Sequence, residues 1–306
     1  MKNYFITALL GLLVACDQNS TPDVINKSNR SSGNITTISD SEVISVTRMG
    51  NPNRRTLILI HGLASSADVW DGTVEALQNY DLHIVQVAGF AGHPKVITKG
   101  SFTDAIAMAI HTYIEKTQNQ DVVVIGHSLG GFVALKAAML DMSKIDELII
   151  VDSLPFLAQM FLPGTTPQQA AQSAPLMAQQ MANMPRAAFD QQQQAGLARL
   201  TKTEAYRETL ANWGKASDQT VIASTLGELL AADLRNDLSN LNIDITVLAA
   251  YDAAMGVPQA VIKDMYKAQY MKAPNHNIIM IKDSFHFIMI DQSTAFFEAV
   301  KKTLED

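Results

Sequence analysis

Gly126-His127-Ser128-Leu129-Gly130-Gly131 follows the apolar run Val122-Val123-Val124-Ile125 and precedes a helical pattern. A turn that swings a chain directly from strand to helix leaves almost no room for side chains beside its apex. Gly126 and Gly130 meet that need, and Gly131 lets the helix pack close to the sheet. A serine at such an apex holds a strained backbone, with its hydroxyl exposed and its N–H turned into the same space. The glycine spacing alone occurs by chance. The strand before it and the helix after it make it a strong signal.

Working outward, Glu42-Val43-Ile44-Ser45-Val46-Thr47 alternates like an antiparallel strand, and Thr56-Leu57-Ile58-Leu59-Ile60 is continuously apolar, as buried central strands are. Helices and strands then alternate. Asp68 to Tyr80 reads as a helix, Leu82 to Val87 as a strand and Phe102 to Lys116 as a helix. After the Ser128 turn come a helix, Phe132 to Leu140, and a strand, Leu148 to Val151. Such an order implies an α/β fold with a doubly wound, mostly parallel sheet. From about Leu154 to Asp233 the rhythm stops. This stretch is rich in Ala, Gln and Met, with Met177, Met181 and Met184 at helical spacing, and reads as a helical cap. The methionines suit the core of that cap, an adaptable pocket lining, or both. Gln191 to Gln194 reads as a solvated helix face. The sheet resumes at Ile243 to Ala250, followed by a helix, Pro258 to Tyr270, a last strand, Ile278 to Ile281, and a closing helix, Thr294 to Leu304. The expected organisation is a leader over 1–15, a tether over 16–41, a core over 42–153 and 234–306, and a helical cap over 154–233.

The chain has 306 residues and a formal net charge of −7. Mild acidity without a basic cluster argues against nucleic acid as a partner. Cys16 is the single cysteine, so no internal disulfide can form. It closes a telling segment: Lys2 is a positive start, Tyr4 to Val14 is mostly apolar, and Leu13-Val14-Ala15-Cys16 resembles the lipobox of bacterial lipoproteins. Spanning a bilayer takes about 20 apolar residues, so this stretch is too short to cross one. The resemblance implies an acylated Cys16 tethering the chain to a membrane of the bacterial cell envelope, outside the cytoplasm and on the periplasmic face in a Gram-negative cell. Asp17 is similar to an inner-membrane retention signal. The alternatives are an ordinary secretory signal or a buried N-terminal helix.

A serine hydroxyl is a poor nucleophile until a base takes its proton, and the base needs an orienting acid. After a nucleophile on such a turn, the acid and then the base follow in loops behind later strands. His286, in Asp283-Ser284-Phe285-His286-Phe287, follows the last strand, whereas His276 precedes it. His286 is therefore the expected base. Asp252, directly after the strand ending in Ala250, is the expected acid, with Asp152 as runner-up; Asp233 and Asp237 read as surface or capping residues. An oxyanion needs two preorganised donors. The Leu129 N–H follows the nucleophile, and the Leu63 N–H lies in His61-Gly62-Leu63. His61 reads as a brace for that loop, and His127 as packing beside the serine.

With His61-Gly62, Ser128, Asp252 and Phe285-His286-Phe287 in this order, residues 42 to 305 resemble the serine hydrolases of the α/β-hydrolase superfamily, in the esterase, haloperoxidase-like and C–C hydrolase group with a helical cap. The resemblance implies hydrolysis of an ester or similar acyl bond of a small molecule through Ser128, His286 and Asp252, with no metal and no organic cofactor. Peptidases, thioesterases, acyltransferases and C–C hydrolases share this machinery, and a silent scaffold that binds an acyl ligand or a partner is the alternative from another class. Relatives with a nucleophilic aspartate are disfavoured by Ser128. One departure is Val87-Ala88-Gly89-Phe90-Ala91-Gly92, where many relatives carry an aspartate and a G-x-G.

Overall fold

The computed structural model describes residues 36–38, 42–117 and 119–305. The leader over 1–15, Cys16 and most of the expected tether lie outside the described residues. Eight strands form one sheet in the order β1-β2-β4-β3-β5-β6-β7-β8. They are β1 (Thr36–Ile38), β2 (Ile44–Gly50), β3 (Thr56–Ile60), β4 (Asp81–Val87), β5 (Val122–His127), β6 (Ile145–Val151), β7 (Asp244–Tyr251) and β8 (Asn275–Lys282). Strands β1 and β2 pair antiparallel at one edge, and every pairing from β4 through β8 is parallel. The short β1 falls inside the stretch read from sequence as tether.

The apolar runs explain why this sheet is covered on both faces. Successive side chains of a strand point to opposite faces. Ile58, Ile60, Val122 and Val124 therefore enter one hydrophobic cluster with α2 (Phe102–Lys116), α3 (Leu129–Leu140) and α9 (Gln259–Tyr270). Leu57, Leu59, Val123 and Ile125 enter the other. There they meet Trp70, beside α1 (Asp71–Ala76), and Phe296 and Val300 of α11 (Ser293–Glu305). The segment Asp68 to Tyr80 forms a 3-10 turn, Ala67–Trp70, and the short α1 rather than one helix.

Between β6 and β7 lie α4 (Ala158–Phe161), α5 (Pro167–Ala182), α6 (Arg186–Leu200), α7 (Glu204–Ala216) and α8 (Gln219–Ala231); α10 (Ile288–Asp291) follows β8. Helices α5 and α8 touch so closely that a Cβ on Gly227 would stand 2.7 Å from the Ala178 Cβ. This cap is stitched to the core. The Glu228 carboxylate of α8 accepts hydrogen bonds from Phe102 N (2.8 Å), Thr103 N (2.7 Å) and Ser101 Oγ (2.7 Å) at the N-terminus of α2, where unpaired N–H groups and the helix dipole favour an anion. The loop over 88–93 is held by the cap as well: Asp218 N donates to Gly89 O at 2.8 Å and Gly92 N to Ala216 O at 3.0 Å. Met181 and Met184 pack against the core, and Met177 is exposed. None of the described helices is long and apolar enough to cross a membrane.

At the N-terminal ends of the strands lies an open polar concavity of about 1220 Å³ lined by Arg55, Asp146, Glu147, Asp244 and His276, among others. Burial pushes the Glu147 carboxyl up to about 7, although Thr246 Oγ1 donates to it at 3.0 Å. The sign of the linkage follows. The unfolded carboxyl ionises near 4.5, so between about pH 4.5 and 7 the folded chain holds a proton that the unfolded chain has released. This group therefore favours the fold at the acid end, and its contribution is lost as pH rises towards 7. Glu147→Gln should flatten that slope. Denaturant unfolding at pH 5 and pH 8 measures it, and an unchanged pH dependence in the variant would refute the assignment.

Candidate active site

Ser128 sits where β5 turns into α3, with φ 54° and ψ −117°. The left-handed φ is strained for a residue with a side chain. What holds it there is backbone contact without intervening side chains. A Cβ on Gly130 would stand 2.2 Å from Ile60 O, and one on Gly126 would stand 2.4 Å from the Gly130 carbonyl carbon. Both glycines are required by close approach. The Ser128 N–H donates to Val151 O at 2.9 Å. The side chain is half-buried, and among the described residues its Oγ has no hydrogen-bond partner.

The loop after β3 runs against this turn: a Cβ on Gly62 would meet His127 Nδ1 at 2.9 Å and Ser128 Cβ at 3.2 Å. His61 fixes the loop from below. Its Nε2 accepts from Val87 N at 3.0 Å, so its proton is on Nδ1, which donates to Gly62 O at 2.8 Å. Burial lowers the ring to about 4, so it stays neutral across physiological pH. Among the described residues the Leu63 N–H has no hydrogen-bond partner, and it lies in the loop after β3 that packs against Ser128. The Leu129 N–H opens α3 and is likewise unpaired, as the first N–H groups of a helix are.

His286 follows β8. Its Nδ1 lies 2.7 Å from Asp152 Oδ2. A carboxylate only accepts, so the proton is on Nδ1 and Nε2 is left with its lone pair. Asp152 is itself held on three sides. Its N–H donates to Leu248 O at 2.8 Å, and its Oδ1 accepts from Ala250 N at 2.9 Å and from Tyr266 Oη at 2.7 Å. Burial first, and then the Asp152 charge, raise the Tyr266 hydroxyl well above its ordinary value, so it remains a donor. With Oδ1 occupied by two donors, Oδ2 is aimed at the imidazole. On the other side, the ring of His127 lies 4.5 Å from that of His286, and His127 Nε2 donates to the His286 carbonyl at 3.0 Å.

The expected partnership of His286 with Asp252 is therefore corrected. Asp252 forms an ion pair with Lys202 of the cap and accepts from Ala254 N at 2.7 Å, capping the turn Ala253–Met255. The Lys202 ammonium holds its carboxyl below the usual range. Strands β6 and β7 are neighbours that end at the same edge, and each is followed by an aspartate. Lys202 and Tyr266, distant in sequence, sort the two. Only the pattern of an apolar run closed by Asp152 pointed to the partner of His286, and Asp252 shares it. His276 begins β8 at the opposite edge, where its Nδ1 donates to Ala273 O at 2.8 Å. Asp233 pairs with Arg235 at 2.7 Å.

A profile of the alpha/beta hydrolase fold matches residues 55–292. The chain belongs to the α/β-hydrolase fold family. It is 27% identical over 263 residues to a pimeloyl-[acyl-carrier protein] methyl ester esterase of Aliivibrio fischeri, covering 81% of this chain and 93% of that one. To the enzyme of the same name from Pectobacterium carotovorum it is 26% identical, over 80% of this chain and 92% of that one. Among solved structures, an esterase from Exiguobacterium antarcticum superposes with a TM-score of 0.70 at 15% identity, covering 89% of this chain and all but 1% of the other (99%). That likeness is one of fold.

Within this α/β-hydrolase, Asp291 is a residue that sequence reading passed over. Its carboxylate accepts from Phe285 N (3.0 Å), next to His286, and from Thr201 Oγ1 (2.6 Å), Lys202 N (3.0 Å) and Thr203 N (3.1 Å) of the α6–α7 turn. Burial opposes its ionisation, but the Thr201 hydroxyl and these N–H groups outweigh that and keep it below its ordinary value. Phe287 N adds a bond to Leu200 O at 3.0 Å. The cap turn and the histidine loop are thus one unit. Asp291→Ala leaves several N–H groups unpaired and should cost about 3 kcal/mol, since each buried orphan costs ~1–3. Thermal unfolding measures that loss; a melting temperature equal to the parent's would show that water replaces the carboxylate at no cost.

Proposed function

We propose that this protein is a serine hydrolase that cleaves a carboxylic ester of a small molecule, with Ser128 as nucleophile, His286 as base and Asp152 as the acid that orients it. The class, a carboxylic ester hydrolase, follows from the family and the esterases among its relatives. The observation that carries the residue assignment is the 2.7 Å bond between His286 Nδ1 and Asp152 Oδ2, which leaves Nε2 free to take a proton.

Ser128 Oγ attacks the ester carbonyl carbon while His286 Nε2 accepts the hydroxyl proton. The charge that develops on the carbonyl oxygen is met by the N–H groups of Leu63 and Leu129. Collapse expels the alcohol, which takes the proton from His286 and leaves an acyl-serine. Water, giving its proton to the same nitrogen, then releases the acid and restores the serine. Asp152 stays ionised throughout and stabilises the imidazolium. The curated relatives are named for a methyl ester, and small alkyl esters are the class assigned here. Ser128→Ala should lower kcat on p-nitrophenyl esters by about 10⁶ and abolish labelling by a fluorophosphonate. Labelling that persists in the variant would overturn Ser128 as the nucleophile.

For location, the reading supported by the sequence around Leu13-Val14-Ala15-Cys16 is a lipid anchor at Cys16 that tethers the enzyme to a bacterial membrane outside the cytoplasm. Two or more acyl chains make such an anchor stable. Cys16→Ala should stop incorporation of labelled fatty acid and move the protein out of the detergent phase. A wild-type chain that never enters that phase would contradict the anchor.

A further inference from the structure

Gly214 of α7 is buried, yet nothing lies within 4 Å of where its Cβ would stand. That combination is unusual. A glycine inside a helix is a weaker helix former than alanine, and its usual justifications are a positive φ or a close neighbour. Gly214 has neither: it is absent from the positive-φ residues, whereas Gly227 on α8 is forced by Ala178. Its carbonyl accepts from Ser217 N at 3.2 Å and Arg186 Nη2 at 3.4 Å, bonds that a side chain would not disturb. What the missing side chain leaves is space.

That space is a cavity of about 50 Å³ between the cap and the core. Its walls are Leu63 and Ala64 of the loop beside Ser128, Phe287 next to His286, and Leu197, Leu210 and Gly214 of the cap. Gln193 and Gln194 also border it, so the glutamine run is not merely a solvated face. At ~30 Å³ for a water-sized group, this volume takes about two such groups in mostly apolar surroundings.

We propose that Gly214 determines specificity by leaving room for the acyl chain of the ester, and that the enzyme takes short, unbranched apolar acyl groups. This rests on the serine-hydrolase reading above. A pocket wall discriminates by the methylenes it admits, each worth roughly 10-fold or more when refused. Helix α7 tolerates alanine, because its Cβ stands in open space and not against a neighbour.

The test measures kcat/KM of the wild type, Gly214→Ala and Gly214→Val on p-nitrophenyl acetate, butyrate and octanoate, with a thermal melt of each. In the wild type, butyrate should exceed octanoate. Gly214→Val should lower butyrate turnover by roughly 10-fold or more relative to acetate, and Gly214→Ala should fall between. A chain-length profile unchanged in folded Gly214→Val, or unchanged in Gly214→Ala should valine fail to fold, would overturn the inference while leaving the serine hydrolase standing. Failure of the wild type to hydrolyse any of the three esters or to bind a fluorophosphonate would overturn both.

Discussion

The site depends on backbones meeting with no side chain between them. At Gly126 and Gly130 the turn after β5, the start of α3 and the end of β3 touch so closely that any Cβ would collide with main-chain atoms. The strained φ of Ser128 is a product of that contact: the strand and the helix are each fixed by burial, and the residue joining them has one way to connect. The same contact brings the His61-Gly62-Leu63 loop against the serine. The half-buried Ser128 hydroxyl and the unpaired N–H groups beside it thus arise from one packing constraint, and the stability of the sheet core sustains the strain.

From this point the geometry spreads through hydrogen bonds. Asp152, also at positive φ, is fixed by Leu248, Ala250 and Tyr266 and in turn fixes His286. The backbone of His286 is gripped from the Ser128 side by His127 and, through Phe285, by Asp291. Because Asp291 also holds the α6–α7 turn of the cap, that turn and the segment that carries His286 share one carboxylate.

How much of this was legible in the sequence divides along physical lines. Runs such as Val122 to Ile125 and the spacing of Phe102, Ile106 and Ile110 show directly in the strands and helices they form, because burial on both faces of a sheet, or along one stripe of a helix, writes itself as composition and period. The serine turn was legible for the same local reason, since its sterics demand glycines at fixed offsets. The acid was not. Asp152 and Asp252 each close an apolar strand, and what separates them is contact with Tyr266 and Lys202, residues far along the chain from Asp152. The open space at Gly214 and the clamp at Asp291 were hidden likewise: a void and a multiple acceptor are properties of what surrounds a residue.

The proposed mechanism stands on Asp152, and not Asp252, orienting His286. The most direct measurement compares kcat of Asp152→Asn and Asp252→Asn on one activated ester, with folding checked by circular dichroism. Loss of the orienting acid of a triad lowers kcat by about 10⁴, so Asp152→Asn should fall by that order. Asp252→Asn loses only its pairing with Lys202, which is worth about 1 kcal/mol or less, roughly a factor of 5. A folded Asp252→Asn variant that is silent, beside an Asp152→Asn variant that retains near-parental turnover, would contradict the account.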